Sequence, residues 1–133
     1  MYNQKLRVNG EYLAKAQTVP VNTTAAGNSG PIRADNTMGG LELQIVAATA
    51  IAISAGKSLT VNLLDCDTQG GTFATLPQSF KATYASAKSF KAGELIGVLP
   101  LPSTCRQFVK VSLTTDDTAP TGTVDIFAGY NPR

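Results

Sequence analysis

Residues 105–133 read CRQFVKVSLTTDDTAPTGTVDIFAGYNPR, and the alternation inside this stretch decides the fold class. In its first half Val109, Val111 and Leu113 fall on one side, with Phe108, Lys110, Ser112 and Thr114 on the other. In its second half Val124, Ile126, Ala128 and Tyr130 alternate with Thr123, Asp125, Phe127 and Gly129. A period of two is what a pleated strand imposes, because successive side chains leave opposite faces. Residues 115–122 between the runs are turn formers, with Pro120 and Gly122 as breaks. The pattern predicts an antiparallel pair joined by that turn, each strand with one buried face. Two strands alone are marginal in water, so the upstream chain has to supply partners.

It does so at short intervals. Leu41, Leu43 and Ile45, then Ile51 and Ile53, alternate with polar or small residues such as Glu42 and Gln44. They predict two strand pieces around residues 47–50, with an Ala-rich helix as the competitor. Residues 55–57 form a turn, and residues 58–64 (SLTVNLL) form a second clear strand. Residues 72–77 predict a short strand stopped by Pro77, and residues 94–99 another, closed by residues 100–102. Strands every eight to twelve residues, with no confident helix, describe a sandwich, jelly roll or barrel.

Residues 1–38 are the least patterned part and are assigned to an N-terminal arm and edge segment. Residues 16–21 read as an extended edge, because Pro20 cannot donate to a central ladder. Residues 22–31 read as loop or arm. Residues 39–133 are then the sandwich core of a single domain.

The totals bound the function. A chain of 133 residues is one domain, and its net charge of +2 is too small for a nucleic-acid stripe. Only 15% of residues are charged, against about 25% in ordinary soluble domains. Thr, Ser, Asn and Gln make up the polarity instead, which suits a β surface partly covered by neighbours. No targeting segment is read at the start, and the longest apolar stretch, residues 45–55, is short of the roughly 20 residues of a membrane helix. Cys66 and Cys105 read as small buried hydrophobes rather than a disulfide framework.

Reactive chemistry has little to work with. The chain has no histidine, which removes the usual general base, Ser-His and Cys-His activation, and the commonest metal ligand. Asp65 with Asp67, and Asp116 with Asp117, are the only paired carboxylates, and strand-end turns account for them. Gly56-Lys57-Ser58 copies the end of a phosphate-binding loop, but Ile51 stands where its leading glycine would be. No catalytic, cofactor or metal residue is assigned, and the chain is expected not to be an enzyme. Lys81, Lys88 and Lys91 lie among Phe80, Tyr84 and Phe90 in a segment without acids. With Lys5 and Arg7 near the start, they are the candidate contacts for an acidic protein partner.

The order of features resembles the small jelly-roll capsid cement (decoration) proteins of tailed bacteriophages. The resemblance runs through residues 16–19 (AQTV), 41–46 (LELQIV), 56–63 (GKSLTVNL), Asp67, Phe73, 91–93 (KAG), 106–111 (RQFVKV) and 121–124 (TGTV). It covers most of the chain beyond about residue 12. It implies an all-β, antiparallel double sheet of eight strands, of jelly-roll type with an extended N-terminal arm, and no catalytic residues. It implies a homo-oligomer, dimer or trimer, seated at symmetry axes on the outer surface of the virion. There it would bridge neighbouring major capsid protein subunits without covalent bonds, after synthesis in the host cytoplasm. Neither nucleic acid nor membrane is an expected partner. The alternatives are another β-sandwich virion module of a tail or fibre, or a small glycan- or peptide-binding β domain.

Overall fold

The computed structural model describes residues 6–29, 31–33, 41–68, 70–101 and 107–130. All the regular structure in them is β. The strands are β1 Leu6–Thr18, β2 Thr24–Ala26, β3 Ile32–Arg33, β4 Leu41–Ala47, β5 Ile51–Ile53, β6 Ser58–Cys66, β7 Ala74–Thr83, β8 Lys88–Phe90, β9 Leu95–Pro100, β10 Phe108–Thr115 and β11 Thr123–Tyr130. Every pairing is antiparallel. One sheet runs β1-β11-β4-β9, and the other runs β2-β10-β6-β7 with β3 also on β10. A two-stranded ribbon, β5-β8, stands apart from both.

The alternation of the carboxy-terminal strands is as the sequence implies, but their pairing is not. Val109, Val111 and Leu113 are buried while Phe108, Lys110, Ser112 and Thr114 are half-exposed. Yet β10 and β11 do not pair with each other: β10 lies against β6, β2 and β3, and β11 between β1 and β4. The expected hairpin is therefore a crossover between sheets. Its physical reason is that both runs carry fully apolar inner faces, which bury more surface facing each other across a core than lying side by side. Val111 and Leu113 from one sheet share a single buried cluster with Val124, Ile126 and Ala128 from the other.

Gly122 sets the end of that crossover. Its φ is +101°, and a Cβ there would fall onto the Ala50 carbonyl oxygen and lie 2.8 Å from Ile51 Cα. Only glycine tolerates both the left-handed backbone and the approach of the β4–β5 connection. The Val19 amide then donates to the Gly122 carbonyl at 3.2 Å, tying the end of β1 to the same point.

Residues 6–33 are not an arm. β1 is the edge strand of the first sheet, and Leu13, Ala14, Val19 and Ile32 belong to the core cluster. β2 and β3 edge the second sheet through β10. Of the expected arm and edge segment, the described part forms edge strands of the sandwich; Met1–Lys5 and residues 34–40, with the expected boundary at 38, lie outside the described residues. Three register shifts interrupt β1 against β11. Such bulges break period-two alternation, which is why the segment looks unpatterned.

At Leu13 and Lys15 the open edge of β1 is covered by the chain that follows it. The Lys15 amide donates to Asn28 Oδ1 at 2.8 Å, Asn28 Nδ2 donates to the Lys15 carbonyl at 2.9 Å, and the Ser29 amide donates to the Leu13 carbonyl at 3.2 Å. The neighbouring Gly27 amide donates to the Val111 carbonyl at 2.9 Å, so residues 27–29 span from one sheet to the other. Where it is covered in this way the edge has no free ladder groups to offer a strand from another chain.

One further expectation is corrected, and β4 adds a feature of its own. Pro77 does not end its strand: β7 continues to Thr83, and the register shift opposite Asn62–Leu64 accommodates the missing donor. That is tolerated because β7 is an edge strand. The Glu42 and Gln44 side of β4 is not wet: Glu42, Gln44 and Phe127 are all buried although they alternate with the core residues Leu43, Ile45 and Ile126. Part of the cover is Tyr12, whose ring packs on Phe127 at 5.6 Å. The strand reading of residues 41–53 holds, with β4 and β5 on either side of Ala48, Thr49 and Ala50.

Candidate partner surface

Among the described residues no three His, Cys, Asp or Glu side chains converge as a metal site would need. Asp65 is buried on the inner side of β6, and Asp67 is exposed past the strand end, so the two do not share a face. Cys66 is buried with a free thiol, 3.9 Å from Thr68 Oγ1; Cys105 lies outside the described residues.

The Asp116-Asp117 pair and Gly56-Lys57-Ser58 meet, and they meet as structure. The Lys57 amide donates to the Ser54 carbonyl at 3.2 Å, which closes the turn between β5 and β6. Asp116 Oδ1 accepts the Ser58 amide at 2.8 Å. Asp117 is buried and accepts from the Ser54 amide at 2.7 Å and the Ala119 amide at 2.9 Å. These backbone donors hold the Asp117 carboxyl below the ordinary carboxylate range, with Ser54 the largest influence and the Lys57 charge a smaller one. The Ser58 amide does the same for Asp116. The carboxylates staple the crossover to the β5–β6 turn, and the Gly56, Lys57 and Ser58 amides are spent on the Tyr84 carbonyl, the Ser54 carbonyl and Asp116 rather than left for a phosphate.

The lysines expected to act together sit on separate elements. Lys81 is exposed on the outer face of the β2-β10-β6-β7 sheet, opposite Thr60. Lys88 opens β8 with its Nζ 5.2 Å from the centre of the Phe90 ring, and Lys91 follows that strand in a turn whose amide is held by Glu94 Oε1 at 3.0 Å. Arg7 is in β1, its backbone opposite Gly129; Lys5 lies outside the described residues.

What the sequence reading passed over is the character of the two outer faces. On the β2-β10-β6-β7 sheet, outward positions of β6 are Ser58, Thr60, Asn62 and Leu64. They stand beside Thr114, Ser112 and Lys110 of β10 and beside Thr83, Lys81 and Ser79 of β7. Thr24 and Thr114 share a hydroxyl hydrogen bond at 2.8 Å across β2 and β10. Lys110 lies with its Nζ 4.6 Å from the centre of the Phe73 ring. No outward position of these strands among the described residues carries a carboxylate. The other sheet differs: its outer side carries Glu42 and Asp125, the latter accepting the Ala16 amide at 2.7 Å. The signal was available in the sequence, since the outward registers of β6 and β10 are Ser/Thr/Asn/Lys apart from Leu64 and Phe108; it required the pairing to be known.

Comparison of the chain with protein-family models finds no match, and comparison with curated proteins finds none either.

Proposed function

We propose that this chain is a capsid cement protein: a jelly-roll virion component that binds the outer surface of a phage shell and bridges neighbouring major capsid protein subunits. The observation that supports it is the nesting of the strands. With β2 and β3 counted as one interrupted strand and the β5-β8 ribbon set aside, eight strands remain. The first pairs with the eighth (β1-β11), the second with the seventh (β2/β3-β10), the third with the sixth (β4-β9), and the fourth with the fifth (β6-β7). A long two-stranded ribbon rolled onto itself gives this nesting, which is the winding of a jelly roll. The resemblance carried by residues 16–124 points to the same architecture.

The physical demands of the role fit the surface. A decoration protein at a symmetry axis is a symmetric oligomer that repeats one contact on each subunit beneath it. Several modest contacts held rigidly give avidity far beyond one, so shape and area are needed and reactive groups are not. On this reading the folded sandwich, into which β1–β3 are built, is the part that meets the capsid.

The test is sedimentation of the purified oligomer with empty shells of the major capsid protein encoded in the same genome. The expected result is saturable binding in the presence of a chelator, with decorated shells surviving higher temperature than bare ones. Failure to bind, or shells equally heat-resistant with and without the chain, would contradict the proposal.

A further inference from the structure

The outer face of the β2-β10-β6-β7 sheet has features that an ordinary wet face lacks. Solvated sheet faces usually intersperse charges of both signs. Here the described outward positions of β6, β7 and β10 are mostly hydroxyls and amides, with Leu64 and Phe108 toward one end and Lys81 and Lys110 as the only charged side chains described. Asp67 and Asp116 lie beyond the strand ends, and Asp116 is occupied with the Ser58 amide and lies near the Lys57 charge.

The face is also ordered in advance. β6 and β10 pair without interruption over eight successive residues from Phe108↔Cys66 to Thr115↔Leu59, so this part of the sheet has no bulge. Apart from the two lysines, most of its side chains are short and have little rotamer freedom to lose on docking. Thr24 and Thr114 hold each other, Asn62 Nδ2 lies 3.5 Å from Ser112 Oγ, and Lys110 is steadied over Phe73.

We propose that this hydroxyl-rich face is the docking surface, and that its occupant is an acidic patch of the shell protein. The argument is charge complementarity: Lys81 and Lys110 lie near opposite corners of the field, roughly 13 Å apart along the strands and about 10 Å across them. Carboxylates opposite these corners meet no competing acid at the described outward positions of the sheet, and the hydroxyls and amides between accept or donate as the partner requires. Size argues for a proteinaceous, multivalent partner. The field is about 20 Å by 15 Å, roughly 300 Å², well under the about 800 Å² per partner of a stable single interface. One copy would bind weakly, and a symmetric oligomer on a repeating surface would bind tightly. The two cations described on β6, β7 and β10 are too few to grip a phosphate backbone.

This inference rests on the cement-protein reading, and its experiment separates the two. Shell binding is measured for the wild type, for Lys81→Glu/Lys110→Glu, and for Lys88→Glu/Lys91→Glu as a control on the β5-β8 ribbon side. Because Lys110 packs on Phe73, Ser79→Glu/Lys81→Glu, at two exposed β7 positions, serves as a second variant that leaves that contact intact. Both face variants are expected to lose about a hundredfold or more in apparent affinity, while the control binds like wild type. Wild-type binding should also weaken steeply as salt is raised. Wild-type binding with undiminished affinity in folded face variants would overturn the docking face and leave the function standing. Face variants that change oligomeric state but not shell binding would make the face a self-contact and overturn the proposal as well. A wild type that does not bind shells would overturn both.

Discussion

A chain lacking residues 1–15 is expected not to fold cooperatively. The deletion takes Leu6 through Lys15 of β1, including Leu13 and Ala14, which are fully buried. Burying a leucine side chain is worth about 2–3 kcal/mol, and the alanine adds roughly 1 kcal/mol. The deletion also strips the β11 positions opposite Leu6, Arg7, Tyr12 and Ala14 of their ladder partners. Phe127, now 2% exposed, loses the Tyr12 ring that packs on it. Together these losses rival the whole stability of an ordinary domain, about 5–15 kcal/mol. The bared β11 edge would then favour aggregation. Circular dichroism with urea titration checks this: the full chain should give one sharp transition, and the truncated chain a shallow one or none. A truncated protein unfolding at nearly the same urea concentration would mean that β1 is dispensable to the sandwich.

The second large effect is at Asp117. Asp117→Ala removes the acceptor for the Ser54 and Ala119 amides in a buried position. Orphaning such donors costs about 1–3 kcal/mol each, so a loss near 3 kcal/mol is expected at neutral pH. The effect has a defined pH dependence. Because the folded-state carboxyl titrates below its ordinary value of 3.8, the unfolded chain takes up the proton first as pH falls. The stabilisation is complete above the unfolded value and is lost as pH drops through that value toward the folded one. The stability gap between wild type and Asp117→Ala should therefore be widest near pH 7 and narrow below about pH 4. Urea midpoints at pH 7 and pH 3 measure it; a gap that stays constant, or widens in acid, contradicts the staple.

Much of the fold was legible because period-two alternation reports directly on which side chains are buried. Val109, Val111 and Leu113, and Leu59, Val61 and Leu63, were readable as inner faces without any partner being known. Alternation says nothing about which strand lies alongside, however. That is why β10 and β11, adjacent in sequence and alike in pattern, were expected to pair and instead sit in different sheets. β1 was hidden for another reason: each bulge shifts the parity of the residues after it, so a 13-residue strand shows no continuous stripe. Pro77 misled because its rule concerns central strands and β7 is an edge.

The site was less legible than the fold. The lysines drew notice by closeness in sequence, yet β7 and β8 carry Lys81 and Lys88 on different elements. The face that now carries the docking proposal is made by register, with Thr60 beside both Thr114 and Lys81, residues more than 20 positions from it in the chain. Asp117 did leave a local trace, since accepting the amide two residues on is the habit of aspartate in turns.

An image reconstruction of the particle in its decorated state tests the account most directly. The account predicts sandwich-shaped density on the outside of the shell, repeated about a symmetry axis and touching two shell subunits per copy through the β2-β10-β6-β7 sheet. Density confined to a tail or fibre, or a shell surface bare of this chain, would contradict it.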